Sequence, residues 1–238
     1  MSWIEVPRAA LRGKGLRPYV AGEIAVLFDW AENPTGASAH LMAHRGRFLV
    51  DVVEIDDNAV HQPGKPGDEV VFVLEGRLDL TDDRDGREQS FVAGEAVLIP
   101  EGWAGIYRVV GGSGPFRELA IVPHDYFDNG IVAPDAGSPQ RLDPPTGPGE
   151  RELHGGRYTV VAVSGGAPRA AIHVSTEWIV RPLAGTLTLS ADGRAGTFGA
   201  GDLVILPRGF TGEAEASADY RALVLRWTGD QLSAERPL

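Results

Sequence analysis

The sequence predicts an all-β protein made of two tandem small β-barrels, and three observations carry that prediction. One ordered set of short motifs occurs twice, each motif alternates as a strand does, and Gly and Pro punctuate them at turn positions. The clearest pair is GEAVLIPEGWAGIYRV, from Gly94 to Val109, and GDLVILPRGFTGEAEA, from Gly201 to Ala216. Both read Gly, five residues, Pro, one residue, Gly, an aromatic, one residue, Gly.

Four further blocks repeat in the same order. His44-Arg-Gly-Arg-Phe-Leu-Val answers to His154-Gly-Gly-Arg-Tyr-Thr-Val, and LEGRLDL from Leu74 answers to LAGTLTL from Leu183. Asp85-Gly86-Arg87 answers to Asp192-Gly193-Arg194, and Phe116-Arg-Glu-Leu-Ala-Ile to Tyr220-Arg-Ala-Leu-Val-Leu. The offset drifts from 110 to 104, as short loop deletions would produce. Each Asp-Gly sits between two apolar alternating runs and marks a tight hairpin. AVLIP and LVILP end in Pro, which cannot donate to a ladder and so closes the strand.

The expected domains are an N-terminal extension over 1–43, barrel 1 over 44–125, a Pro/Gly-rich linker over 126–153, barrel 2 over 154–228 and a tail over 229–238. The extension carries a strand pattern at Glu23–Trp30 and a turn at Asn33–Gly36. It either adds edge strands or swaps onto a neighbouring barrel, and the sequence leaves both open. At most one helical turn is read, over Leu232–Arg236.

Composition bounds the function. The 238 residues carry a formal charge of -11 and no basic block, so neither nucleic acid nor an anionic membrane is an expected partner. The absence of Cys removes disulfides, thiolate metal sites and a Cys nucleophile. No stretch reads as a signal peptide or a membrane span, and the expected location is cytoplasmic.

The paired motifs resemble those of the cupin superfamily, present twice as in a bicupin. Pro-x-Gly-aromatic-x-Gly is similar to its DUF861 subgroup, which contains ethanolamine-utilisation and ureidoglycine aminohydrolase-like proteins. The resemblance implies two jelly-roll barrels, pairing as an intramolecular pseudo-dimer, with a further homodimer expected. It also implies a site inside a barrel, where three histidines and a carboxylate hold Mn, Fe, Ni or Zn.

This chain departs from that pattern. Asp68 to Gly76 fits the second half of the first cupin motif and puts Glu69 at the carboxylate position. The histidine positions fall on Gln62 to Gly67, which has none, and His61 lies eight residues before Glu69. Gly105 and Gly212 stand where the last histidine belongs. In the second copy His173 and Glu177 are four apart, the spacing of one strand face, although counting back from Gly185 sets Trp178 rather than Glu177 opposite Glu69.

The candidate metal ligands are therefore His173, Glu177, His61 and Glu69, and the candidate ligand-binding residues are Glu69, Tyr107, His173 and Glu177. The second copy is favoured for a metal. Asp82, Asp83 and Asp85 read as a solvated hairpin tip, Arg117 and Arg221 as salt-bridge formers, and Trp103 and Phe210 as caps on the barrel mouths. Three functions stay open, led by a binder of a small polar metabolite. The others are a divalent-metal enzyme of aminohydrolase type acting on a ureide or similar molecule, and a structural homo-oligomer with degenerate sites.

Overall fold

A computed structural model describes residues 2–18, 37–128, 137–144 and 147–228. The strand expected at Glu23–Trp30, the turn at Asn33–Gly36 and the helical turn at Leu232–Arg236 lie outside them. The described residues are almost all strand, with one short helix at Arg8–Leu11 and a single 3-10 turn at Tyr126–Asp128. They form two compact units, one over Pro7–Leu142 and one combining the first six residues with everything from Asp143.

The first unit, barrel 1, is a seven-stranded and a four-stranded sheet. The larger runs, in order, Gln140–Arg141, Ala96–Ile99, Glu69–Glu75, Phe116–Pro123, Phe48–Ile55, Ala37–Arg45 and Arg17–Pro18. The smaller runs Asn58–Gln62, Gly105–Val110, Arg77–Asp82 and Glu88–Val92. All the described pairings are antiparallel. Val71, Val73, Val97, Ile99, Leu78, Leu80, Phe91 and Phe116 form the apolar interior. Burying that many β-branched and aromatic side chains between two sheets is what a single hairpin cannot do.

Barrel 2 repeats the plan. Its six-stranded sheet runs Ile4–Glu5, Val204–Leu206, Trp178–Ala184, Arg221–Trp227, Tyr158–Ser164 and Gly149–His154, and its four-stranded sheet holds Ala167–His173, Thr211–Ala216, Thr186–Ala191 and Arg194–Gly199. The N-terminus thus serves both units, because Ile4 pairs with Ile205 in barrel 2 whereas Arg17 pairs with His40 in barrel 1. Trp3 packs edge-on against Phe198 at 6.0 Å and Phe210 at 6.4 Å, inside barrel 2.

The repeated Pro-x-Gly-aromatic-x-Gly turn is built identically in both units. Gly102 and Gly209 take φ of +74° and +80°, a conformation L side chains rarely adopt. The next residue donates back to the proline carbonyl, Trp103 to Pro100 at 3.1 Å and Phe210 to Pro207 at 3.0 Å. That tight reversal sends both aromatics into the core, where Trp103 is 1 % and Phe210 0 % exposed. Both belong to the apolar interiors of their barrels. The closing glycine then has a physical cause. A Cβ at Gly105 would lie 2.2 Å from the Thr81 carbonyl oxygen and 2.6 Å from the Trp103 ring, and one at Gly212 2.5 Å from the Ser190 oxygen.

The hairpin tip of barrel 1 also differs from expectation. Asp82 is buried, because the Arg84 guanidinium folds back onto both its oxygens at 2.7–2.9 Å and the Ser138 hydroxyl also donates to Oδ2. The Arg84 hydrogen bond is the main reason its carboxyl falls to about 2. Arg117 does form salt bridges, to Glu54 at 2.6 Å and Glu75 at 2.5 Å.

Candidate functional site

Strand alternation sorts the side chains of barrel 1 into two faces. Val53 and Ile55 face the interior cluster, and so does Phe116. Asp51 shares the face of Val53, and Glu118 shares the face of Phe116. Glu69 shares the face of Val71 and Val73. Tyr107, paired with Leu80 on one side and Val60 on the other, belongs to the same interior. Three carboxyl groups and a phenol therefore face the inside of an otherwise apolar barrel.

A lysine joins them from the loop before Glu69. Lys65 is fixed at its backbone by two hydrogen bonds to the Pro-x-Gly turn, donating to the Trp103 carbonyl at 3.0 Å and accepting from Gly102 N–H at 2.8 Å. Its ammonium donates to Glu69 Oε2 at 2.5 Å and lies 5.1 Å above the Tyr107 ring. Each side chain of this ion pair keeps only about a tenth of its surface in solvent, 9 % for Lys65 and 11 % for Glu69. Tyr107 Oη donates to Glu118 Oε2, and both residues are buried.

The electrostatics follow from that burial. Glu118 is pushed up to about 8, first by burial and then by the charge of Glu69, against the Tyr107 hydrogen bond and the Lys65 charge. Asp51 is raised to about 7, again by burial, with the Val52 backbone N–H and the Arg17 charge opposing. Burial and the Glu118 charge push the Tyr107 phenol well above its ordinary value. Asp51 Oδ1 and Trp103 Nε1 are among the buried polar atoms of this unit that have no hydrogen-bond partner.

These raised carboxyls set the sign of a pH effect. Between the ordinary value near 4.5 and the folded value near 8, the folded protein keeps the Glu118 proton and the unfolded chain has lost it. Stability therefore falls as pH rises through this window, with a limiting slope of about 1.4 kcal/mol per unit for one such group. Asp51 adds to the same trend between about 4 and about 7. Urea midpoints from pH 5 to pH 8 should decline in the wild type and decline less steeply in Glu118→Gln. A Glu118→Gln slope equal to that of the wild type contradicts the assignment.

Barrel 2 supplies an internal comparison, because its register assigns each equivalent position. Glu69 faces Ile99 as Trp178 faces Leu206, each the residue before the turn proline. Val174 makes the same two backbone bonds to its turn that Lys65 makes, with Phe210 and Gly209. Tyr107 faces Leu80 where Ala214 faces Leu189. Asp51 faces Ala120 where Val161 faces Val224, and Glu118 faces Val53 where Ala222 faces Val163. The five polar positions of barrel 1 are thus Val161, Val174, Trp178, Ala214 and Ala222 in barrel 2.

The residues singled out in the sequence are dispersed. Glu69 and Tyr107 meet inside barrel 1, linked through Lys65. His61 sits on the other face of its strand from Val60, exposed and paired with Asp83 at 2.7 Å. His173 is exposed beside Thr211, at 3.2 Å, because the neighbouring Ile172 takes the inward position. Glu177 is buried next to Trp178, which holds the place equivalent to Glu69. Lys65, Glu118 and Asp51 were not singled out. Lys65 stands in the very loop where histidines were sought, and Glu118 and Asp51 are visible only as departures from Ala222 and Val161.

The interior of barrel 1 does not fit a divalent metal of the kind the resemblance implies. An ammonium already neutralises Glu69, Gly105 has no room for a ligand side chain, and His61 lies outside. Among the described residues no group of three or more His, Asp or Glu is arranged to hold a metal ion. No described helix is long and apolar enough to cross a membrane.

No protein-family model and no curated protein matches the sequence. Solved structures do match in fold. A protein of unknown function from Pseudomonas syringae pv. tomato, of the DUF861 family, has a TM-score of 0.63 at 15 % identity over 94 % of this chain and 99 % of its own. The Escherichia coli protein Ylba, also DUF861, gives 0.57 at 11 % identity over 94 % of this chain and 89 % of its own. A cupin 2 conserved barrel domain protein from Leptotrichia buccalis gives 0.57 at 12 % identity, covering 79 % and 88 %. The duplicated sheets, the shared turn and these likenesses together make the chain an all-β protein of cupin fold, similar to the DUF861 proteins.

Proposed function

We propose that the protein binds a small polar metabolite inside barrel 1, among Asp51, Lys65, Glu69, Tyr107 and Glu118, and that barrel 2 is its apolar structural counterpart. The observation that carries this is the internal comparison. One chain builds the same barrel twice, once with five polar side chains turned inward and once with five apolar ones. Burying charged groups costs several kcal/mol per ion, and an apolar replacement is often neutral or stabilising. Barrel 2 illustrates that an apolar interior suffices for the fold. A polar interior with orphaned atoms is best explained by a ligand that completes its hydrogen bonds.

The expected metal-dependent aminohydrolase finds less support, since the donors it needs do not meet. The test is a melting-temperature screen of small amines, acids, amides and ureides on the full chain and on Glu118→Gln. A true ligand stabilises the wild type by mass action, about 2.7 kcal/mol at a hundredfold excess over Kd, and stabilises the variant much less. Equal stabilisation of both proteins places binding elsewhere and overturns the proposal.

A further inference from the structure

The balance of charge inside barrel 1 narrows the ligand. Asp51, Glu69 and Glu118 turn inward with one ammonium, that of Lys65, which Glu69 engages and whose charge reaches Glu118. Asp51 Oδ1 is sealed from solvent without a partner, and Tyr107 engages one oxygen of Glu118. These carboxyls sense one another, since Glu69 and Asp51 both act on Glu118. Arg17 also acts on Asp51, from the exposed strand Arg17–Pro18.

Aromatic rings complete the surroundings. Tyr107 forms one wall, and Tyr126 packs on Leu49 and against the Gly67 backbone. The protein's own lysine shows what such an interior accommodates. Its alkylammonium rests between a carboxylate oxygen and the face of Tyr107, an arrangement in which ion pairing and cation–π attraction add. We infer that the ligand of barrel 1 carries a compact alkylammonium group, placed against Asp51 and Glu118 as Lys65 is placed against Glu69. Once Asp51 and Glu118 ionise, above about pH 8, an anionic group would meet three carboxylates there. The overall charge of -11 likewise draws cations toward the protein.

The inference rests on the binding role proposed for barrel 1, and the test separates the two. Three probes of nearly equal shape differ in charge: propylammonium, propionamide and propionate. Each is titrated into the full-length protein, followed by amide NMR shifts and by melting temperature. Propylammonium should bind, and Asp51→Asn and Glu118→Gln should each weaken it at least about tenfold. Its affinity should rise with pH between 6 and 8, by up to about tenfold per unit for each carboxyl proton the bound cation displaces. The groups facing these carboxyls are Glu69, Lys65, Tyr107, Tyr126 and Arg17. Burial and the Glu118 charge hold the Tyr107 phenol well above its ordinary value.

Binding of propionamide or propionate that Glu118→Gln abolishes keeps barrel 1 as the site and overturns the ligand class alone. Propylammonium binding unchanged in both variants overturns the site and the class together. An absence of any response to propylammonium overturns the class.

Discussion

Lys65→Met is expected to destabilise the protein by about 3–5 kcal/mol at neutral pH, among the largest effects of any single substitution in barrel 1. Methionine matches the length of the lysine stem, so packing on Tyr107 is retained and the charge alone is lost. Glu69, with 11 % of its side chain in solvent, is then a buried carboxylate without its cation. The double variant Lys65→Met/Glu69→Leu should recover most of the loss, because it turns a broken ion pair into an apolar contact. Val174 and Trp178 at the matching places in barrel 2 are a natural precedent. Urea midpoints of the two variants and the wild type measure this directly. A single variant as stable as the wild type means that Lys65 and Glu69 are not the buried pair described.

Gly105→His places a histidine where the cupin resemblance expects the last metal ligand, and the expected result is a damaged barrel without a metal. The first added carbon already meets the Thr81 carbonyl at 2.2 Å and the Trp103 ring at 2.6 Å. Thr81 is held in the ladder opposite Ile106, so its carbonyl cannot swing away without breaking strand pairing. The cost should be about 3 kcal/mol, and Gly105→Ala should show most of it because the clash begins at Cβ. Adding Trp103→Ala relieves the ring contact but not the carbonyl, so it does not rescue the variant. Melting temperature and metal content of the purified proteins decide the matter. A stable Gly105→His protein holding one equivalent of Zn or Mn contradicts this account of the turn.

The fold was legible because its signals are local and doubled. Pro100 and Pro207 end strands, the Asp-Gly pairs turn hairpins, and two copies in the same order leave little freedom in the topology. The register problem was legible too, since counting from Gly185 set Trp178 opposite Glu69, and the pairing with Leu206 and Ile99 agrees.

The site was legible only in part. Glu69 and Tyr107 sit on strands whose alternation fixes their faces, whereas Lys65 sits on a loop, and no periodicity says which loop residue turns inward. Its direction is set by two backbone bonds to a turn almost forty residues away. His173 shows the converse. Its spacing to Glu177 suits one strand face, but the strand ends at His173 and Ile172 claims the interior, so the pair never converges. Asp82 misled for a third reason, because its burial depends on Arg84 and on Ser138, which arrives from a distant segment.

The central claim is that barrel 1 keeps its polar interior for a ligand and not for its fold. The most direct measurement is the stability and ligand response of one variant, Asp51→Val/Lys65→Met/Glu69→Leu/Tyr107→Phe/Glu118→Leu, in which that interior becomes apolar with little change in volume. The account predicts a cooperatively folded protein, at neutral pH as stable as the wild type or more so, that no longer responds to the ligands of the wild type. A variant that loses several kcal/mol of stability, or that still binds those ligands, contradicts it.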